Sequence, residues 1–317
     1  MGSKMRQLNR SIKEKLRQLK CRYRSKPKLS HDVLNQGQQV LAELRLENKG
    51  SVDENKTIWM FWDSGLDNAP GVVQLSYKTW CKLNPDYKVI LLTNDNLYQY
   101  LGFEFNAIFP ILTVNLGAAG KSDLLRLHLL NRYGGVWVDA TTFCLKPLSQ
   151  WLDISYSGFF CFREKHSDDR NLVSWFLASK PGHPIIEKLL NISLDYLTKQ
   201  RANNLDVVGL KTTLLLAKEK QLISKKDSGI ALLNFLESKH AAPYFWVFYL
   251  FNEVVKLSHN QLTWQHIEKQ NNLCAEMYED IISFEQSYVS KQTYREKYVS
   301  SELYQQRAQR ITELLNV

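Results

Sequence analysis

Long apolar runs are missing from this 317-residue chain. The longest uncharged one, AAPYFWVFYLF over Ala241–Phe251, has eleven residues, too few to cross a bilayer as a helix. The first residues hold no apolar segment of the kind a secretory signal needs, so no signal peptide is expected. Cysteine is sparse. Cys21, Cys81, Cys144, Cys161 and Cys274 are scattered, with no CxxC pair. That pattern points to neither a zinc site nor a disulfide framework and fits a reducing cytoplasm. Internal repeats and low-complexity tracts are also absent, which excludes solenoids and arrays.

The bulk of the chain lacks a net charge of either sign. Residues 1–28 hold eleven of the 41 Lys and Arg and one of the 32 acids, a net of +10. The remaining 30 basic and 31 acidic residues nearly cancel. A nucleic-acid-binding body would carry its own basic face, so no nucleic acid is expected as a partner. The positive charge belongs to one arm.

What is present is a sizeable apolar content, 44% hydrophobic and 12% aromatic, enough for a core. In residues 1–24, Met1, Met5, Leu8, Ile12, Leu16, Leu19 and Tyr23 recur at spacings of three and four, a helical stripe among Lys and Arg. Such a helix suits an anionic membrane surface. The same stripe would also serve packing on the chain itself or on a partner subunit. After a linker around Pro27, a helix is predicted over 32–47. Thr57–Trp62 reads as a strand, 70–83 as a helix opened by Pro70, and Tyr87–Thr93 as a second strand. This β-α-β opening is that of a parallel sheet with helical crossovers. His183-Pro184 begins a helix to about Arg201, and Pro243–Leu257 and Ser301–Leu315 also read as helices.

The organising stretch is Lys121–Thr142, KSDLLRLHLLNRYGGVWVDATT. Ser122 reads as a helix cap, Gly134-Gly135 as the helix stop, and Val136–Val138 as a buried strand that delivers Asp139 to its tip. Ligands of open α/β sheets bind at such tips. Asp123 and Arg126, three apart on one helix, share a face. Asp123 would lie in the first turn, where the helix dipole favours a carboxylate. Two carboxylates and an arginine outline a nucleotide-sugar site, since hard Mg²⁺ or Mn²⁺ shares oxygen ligands with phosphates. The plainer reading is a helix-start acid, an i,i+3 ion pair and a solvated strand-end Asp. Asn115–Ser122, NLGAAGKS, approaches the P-loop pattern, but Asn115 stands where its first glycine belongs.

Four segments in order carry a resemblance. KSDLLRLHLLNRYGGVWVDATT, KTIWMFWDSGLDNAP (56–70), SYKTWCKLNPDYKVILLTNDN (76–96) and ASKPGHPII (178–186) are similar to the capsular polysaccharide synthesis glycosyltransferases. These belong to a wider group of DXD sugar transferases that includes yeast Golgi mannosyltransferases. The resemblance covers about residues 56–190.

It implies an α/β GT-A-type (Rossmann-like) fold, with a mostly parallel sheet flanked by helices, an N-terminal amphipathic helix and helical C-terminal additions. The expected organisation is a basic arm over 1–30 and one domain over 31–317, with a donor-binding part at about 56–165 and an acceptor-side part at about 166–317. The implied reaction moves a hexose from a UDP- or GDP-sugar to a hydroxyl of a growing capsular or other cell-surface polysaccharide, with retention. Asp123 would hold donor sugar or ribose hydroxyls, Arg126 would face the sugar or diphosphate, and Asp139 would be the first acid of the DXD motif. Trp59 or Trp62 would stack on the base. Asp139 and Thr141 would hold a divalent cation, Mn²⁺ or Mg²⁺. Thr141 stands where that motif has its second acid, which leaves metal dependence open. A further ligand in such folds comes from the C-terminal part, with His259 and Asn260 as candidates. The acceptor would be lipid-linked, met at the inner face of the cell membrane through residues 1–24. The alternative is a non-catalytic glycosyltransferase-like subunit of a polysaccharide assembly complex.

Overall fold

The computed structural model describes residues 9, 12–20, 28–46, 56–165, 170–218, 229–272, 274–277 and 279–316. Among them the strands are β1 (Thr57–Phe61), β2 (Lys88–Leu92), β3 (Val114–Asn115), β4 (Gly135–Val138), β5 (Thr142–Cys144), β6 (Phe159–Cys161), β7 (Phe176–Ser179), β8 (Leu205–Val208), β9 (Ala241–Pro243), β10 (Ala275–Met277) and β11 (Val289–Lys291). The central sheet has the order β2-β1-β4-β7-β6. β1 runs parallel to both β2 and β4, while β7 is antiparallel to β4 and β6. Two three-stranded sheets, β10-β11-β5 and β3-β8-β9, flank it. Among the described residues, five of the eight strand pairings are parallel. The fold is α/β and GT-A-like, a helix-flanked mixed sheet with many helices in the C-terminal half.

The β-α-β opening forms as the sequence predicts, with Gly71–Leu83 as the crossover helix. The central strands are buried on both faces, as parallel strands under helices are. Ile58, Met60, Val138, Phe176 and Leu177 are fully covered. The helix Pro184–Thr198 starts at its proline, with the His183 ring accepting from the Ile185 amide. The aromatic run is split: Ala241–Pro243 is β9, and Trp246–Val254 is a helix with most of its side chains in the core. Its rings serve packing, and Tyr244, 47% exposed, stays outside.

The helix of the organising stretch begins earlier than its sequence indicates. It spans Ala118–Tyr133, with Gly117 as N-cap and no side-chain cap. Ser122 therefore sits inside the helix, and Asp123 is a turn further in than the dipole argument requires. At the other end two glycines make a tight exit. Gly134 and Gly135 have φ of +66° and +93°, a region open to glycine. A Cβ on Gly135 would stand 2.5 Å from the Thr57 carbonyl oxygen, and one on Gly134 2.8 Å from that of Ser179. The exit lets β4 slot between β1 and β7.

Residues 12–20 of the arm are helical. This helix docks through its polar side. Arg17 donates to the carbonyls of Lys239 and His240 at 3.0 and 2.8 Å, and pairs with buried Glu14 at 2.6 Å. Ile12, Leu16 and Leu19 are left about half exposed, at 48%, 53% and 49%. Met1, Met5, Leu8 and Tyr23 of the expected stripe lie outside the described residues. No helix among the described residues is long and apolar enough to cross a membrane.

Candidate active site

Asp123, Arg126 and Asp139 meet at the C-terminal tip of β4. The helix Ala118–Tyr133 and β4 form a hairpin around Gly134-Gly135, so residues close in sequence are brought side by side. Arg126 Nη2 lies 3.3 Å from Asp123 Oδ1 and 3.2 Å from Asp139 Oδ1. Its Nε donates to the Ser122 carbonyl at 3.2 Å, and Nη1 donates to the carbonyl of Ser174. The guanidinium also lies over the Trp137 ring, 5.0 Å from its centroid. Fixed at four polar points and one aromatic face, Arg126 has one orientation, which the planar fork of arginine favours.

The fourth member of the cluster comes from far along the chain. Lys291, the last residue of β11, places Nζ 2.7 Å from Asp139 Oδ2. The Trp137 indole N–H donates to Asp139 Oδ1 at 3.0 Å. Both oxygens of Asp139 are thus occupied by donors. The DAT turn itself is clamped. The Thr142 amide donates to the Asp139 carbonyl at 2.9 Å, and the Gln292 amide to that of Thr141 at 2.8 Å. Ser76 and Trp80, on the crossover helix, donate to the Thr142 carbonyl at 2.7 and 2.6 Å.

The two carboxylates titrate in opposite directions. Burial pushes Asp123 up to about 6; Arg126 opposes the rise, Asp139 adds to it, and a hydrogen bond with Ser174 opposes it. Burial also acts to raise Asp139, but Lys291 and then Arg126 outweigh it and hold that carboxyl down at about 2. Lys291 is lowered by its own burial, against the pull of Asp139. Environments that separate the pKa values of paired acids assign them different tasks.

A pocket of about 260 Å³ lies along the same edge of the sheet, lined by Phe61, Asp63, Asn94, Lys121 and Leu125 among others. It opens at the ends of β1 and β2, on the side where the helix bearing Asp123 begins. Trp62, directly after β1, is half-buried and meets Tyr294 edge-on at 5.3 Å. Trp59 is placed elsewhere. It is 5% exposed, donates to the Gly134 carbonyl at 2.9 Å and packs on Tyr100 and Tyr133. Its ring is part of the core and offers no face to a base. Tyr244 lies within electrostatic reach of Asp123, Asp139 and Arg126.

The expected metal ligands do not assemble. Asp139 is already paired on both oxygens. Thr141 brings no carboxylate and is buried. Asn260 is 1% exposed and donates to the Val254 carbonyl at 3.0 Å, while His259 is on the exposed side of the same helix. No group of three His, Cys, Asp or Glu among the described residues has the arrangement to hold an ion. What does not fit Mg²⁺ or Mn²⁺ is the ammonium of Lys291 on Asp139 Oδ2, a cation at the place where the ion would share a carboxylate with substrate phosphates. Sequence reasoning missed Lys291, Asn94 and Asp63. Asn94 and Asp63 follow the two expected strands and were within reach of a strand-tip argument. Lys291 stands 152 residues from Asp139 on a three-residue strand with no readable pattern.

Known proteins with similar sequences point the same way. The O-glycosyltransferase braB of Annulohypoxylon truncatum is 31% identical over 166 residues, 46% of this chain and 39% of that protein. The initiation-specific alpha-1,6-mannosyltransferase of Candida albicans is 27% identical over 158 residues, 43% of this chain and 41% of that one. The chain thus matches about two-fifths of the length of these relatives. Among solved structures, the PaToxG glycosyltransferase aligns over 82% of this chain and 95% of its own, at 15% identity and a TM-score of 0.33. The profile of the family described as capsular polysaccharide synthesis protein runs over residues 7–298, from the arm past the strand that carries Lys291. With that span added to the cluster at the tip of β4, the chain belongs to the capsular polysaccharide synthesis protein family.

Proposed function

We propose that this protein is a glycosyltransferase that moves a hexose from a nucleoside diphosphate sugar to a hydroxyl of a cell-surface glycan. The observation that carries the reading is the cluster of Asp123, Arg126, Asp139 and Lys291 at the tip of β4, on the same edge of the parallel strands as the pocket at the tips of β1 and β2. The relatives named as glycosyltransferases support it. The nucleoside occupies the pocket, and Trp62, directly after β1, is the ring left to stack on its base. Asp123 accepts hydroxyls of the donor sugar or ribose, and Arg126 faces the diphosphate. Asp139 orients both cations.

In the reaction the bond between C1 and the phosphate oxygen breaks, and its electron pair leaves with the nucleoside diphosphate. The charge developing on that oxygen is met by N–H donors fixed before the step, the arrangement that stabilises transition states most. The acceptor oxygen bonds C1 from the same face, and its proton passes to the departing phosphate oxygen. The configuration is retained without a nucleophile from the protein. The test is a panel of UDP- and GDP-hexoses followed by nucleotide release and by donor-induced shifts in melting temperature. Neither signal with any donor would leave a non-catalytic subunit as the reading.

The Asp123 carboxyl sets a pH dependence. The parameter kcat/KM reports groups of the free enzyme. With a pKa of about 6, Asp123 loses its acceptor role as pH falls through 6, so kcat/KM falls with it and is flat above about pH 7. Asp123→Asn is expected to remove that acid limb and to lower the plateau on the order of 10–100-fold. An unchanged limb in the variant would assign it to another group.

The arm directs the enzyme to an anionic membrane surface on the cytoplasmic side, where a lipid-linked acceptor is reached. The exposed Ile12, Leu16 and Leu19, flanked by exposed Lys13, Lys15 and Lys20, support this. A helix packed for the domain's own sake would turn its apolar side inward; this one turns it outward. Changing the three apolar residues to Ser is expected to lower flotation with phosphatidylserine vesicles at least ~10-fold and to leave melting temperature unchanged. Equal flotation would remove the membrane assignment.

A further inference from the structure

We infer that Lys291 is a built-in cation standing where the leaving diphosphate would otherwise be met by a divalent metal, so that donor binding and transfer proceed without one. The inference rests on the glycosyl-transfer reading above. Its ground is the position of the ammonium, 2.7 Å from the acid that would begin a metal site. The C-terminal part of the chain does reach Asp139, as expected for a further ligand, but it brings a donor in place of an acceptor.

The placement is built. β11 is paired on both sides, with Lys291 opposite Met277 of β10 and Thr142 of β5. Its neighbours on each side are anchored. The hydroxyl of Ser290 donates to Glu276, and the Gln292 amide donates to the Thr141 carbonyl. Glu276 is paired with Arg307 at 3.1 Å, both almost fully buried. Arg307 also donates to the Tyr298 hydroxyl at 3.1 Å and to the Glu279 carbonyl at 3.0 Å. Lys291 therefore has its backbone fixed on both sides, directly across from Thr142 at the end of the DAT turn. An ammonium has three N–H groups, and one is directed to Asp139.

Charge balance decides which guest fits. At the tip two carboxylates, Asp123 and Asp139, face two cations, Arg126 and Lys291. A divalent ion approaching Asp139 would have to displace the ammonium from Oδ2. A diphosphate oxygen needs no displacement, because it accepts from N–H groups already held in place. When the C1–O bond breaks, the electron pair goes to that oxygen. Lys291 and Arg126 keep their protons and stabilise the charge as fixed cations.

The experiment measures binding of UDP, GDP and pyrophosphate to the full chain by calorimetry, once in EDTA and once in Mn²⁺. Equal affinity within about twofold is expected. Titration of Mn²⁺ alone, followed by the electron paramagnetic resonance of the free ion, is expected to show no saturable site. Lys291→Met, close in length and uncharged, is expected to weaken nucleotide binding at least ~30-fold, and Lys291→Arg less than ~10-fold. Binding that needs Mn²⁺, or full affinity in Lys291→Met, would overturn the inference and leave the glycosyltransferase reading standing. No binding of any probe in either condition would overturn both. The EDTA comparison uses the unaltered protein, so it decides the matter even where a variant fails to fold.

Discussion

Asp139→Asn is expected to lower the rate of nucleotide release on the order of 10³-fold while leaving a folded protein. The amide keeps the shape of the carboxylate and still has an oxygen for the Trp137 indole. It has no charge for the two cations. Lys291 loses its ion pair at 2.7 Å, and Arg126 keeps Asp123 as its one carboxylate beside the carbonyls of Ser122 and Ser174. Groups that must hold their geometry before the bond breaks are then free to turn to water, and removal of one fixed donor alone costs about 10²–10³ in kcat. A stability signature accompanies the loss. Asp139 titrates at about 2 in the fold, below its value in an unfolded chain, so it adds stability above pH 4 that is lost as pH falls toward 2. The contribution is at most about 2 kcal/mol. The variant should show a flatter acid-unfolding curve below pH 4. Nucleotide release within tenfold of the parent protein would take Asp139 out of the mechanism.

Arg126→Ala is expected to be the change at the site most costly to stability, at about 3–5 kcal/mol, and to lower kcat/KM at least ~10²-fold. Arg126 is 4% exposed and serves two carboxylates and two backbone carbonyls. Without it Asp123, itself 6% exposed, is a buried acid with no cation, and its carboxyl rises further above 6. Arg126→Lys does not restore the arrangement, because one ammonium cannot span four acceptors or lie flat on Trp137. Equilibrium denaturation gives the stability term, and nucleotide release at donor concentrations well below KM gives the catalytic one. A variant that melts with the parent protein would show that the ion pairs contribute nothing net.

Three of the four residues at the tip of β4 were legible in the sequence, because one helix, one two-glycine exit and one strand carry them within seventeen positions. Local spacing is enough there. The start of that helix was misread. Ser122 looks like a cap, but the backbone turns at Gly117, where no side chain participates. Asp123 consequently lies beyond the first-turn dipole, and burial raises its carboxyl although Arg126 opposes the rise. Trp59 and Trp62 look alike in sequence, three positions apart at one strand. Only the covering of β1 by Tyr100 and Tyr133 tells the buried ring from the half-buried one. Lys291 was out of reach for another reason. Nothing in a three-residue strand announces its partner, and the pairing is set by the buried Arg307–Glu276 ion pair and the ladder to β5.

The distance in sequence between Asp139 and Lys291 has a consequence for the newly made chain. Synthesis runs from the N-terminus, so the helix, the glycine exit and the tip of β4 exist long before β11 does. A carboxylate and a guanidinium wait through 152 further residues for the cation that completes them. Contacts of such separation form late, because loop closure precedes any reward from pairing. The growing chain therefore contains every residue named for the pocket at the tips of β1 and β2 before it has the cation at Asp139. If Lys291 holds the diphosphate as inferred above, nucleotide binding and bond breaking are both acquired only when β11 pairs with β5.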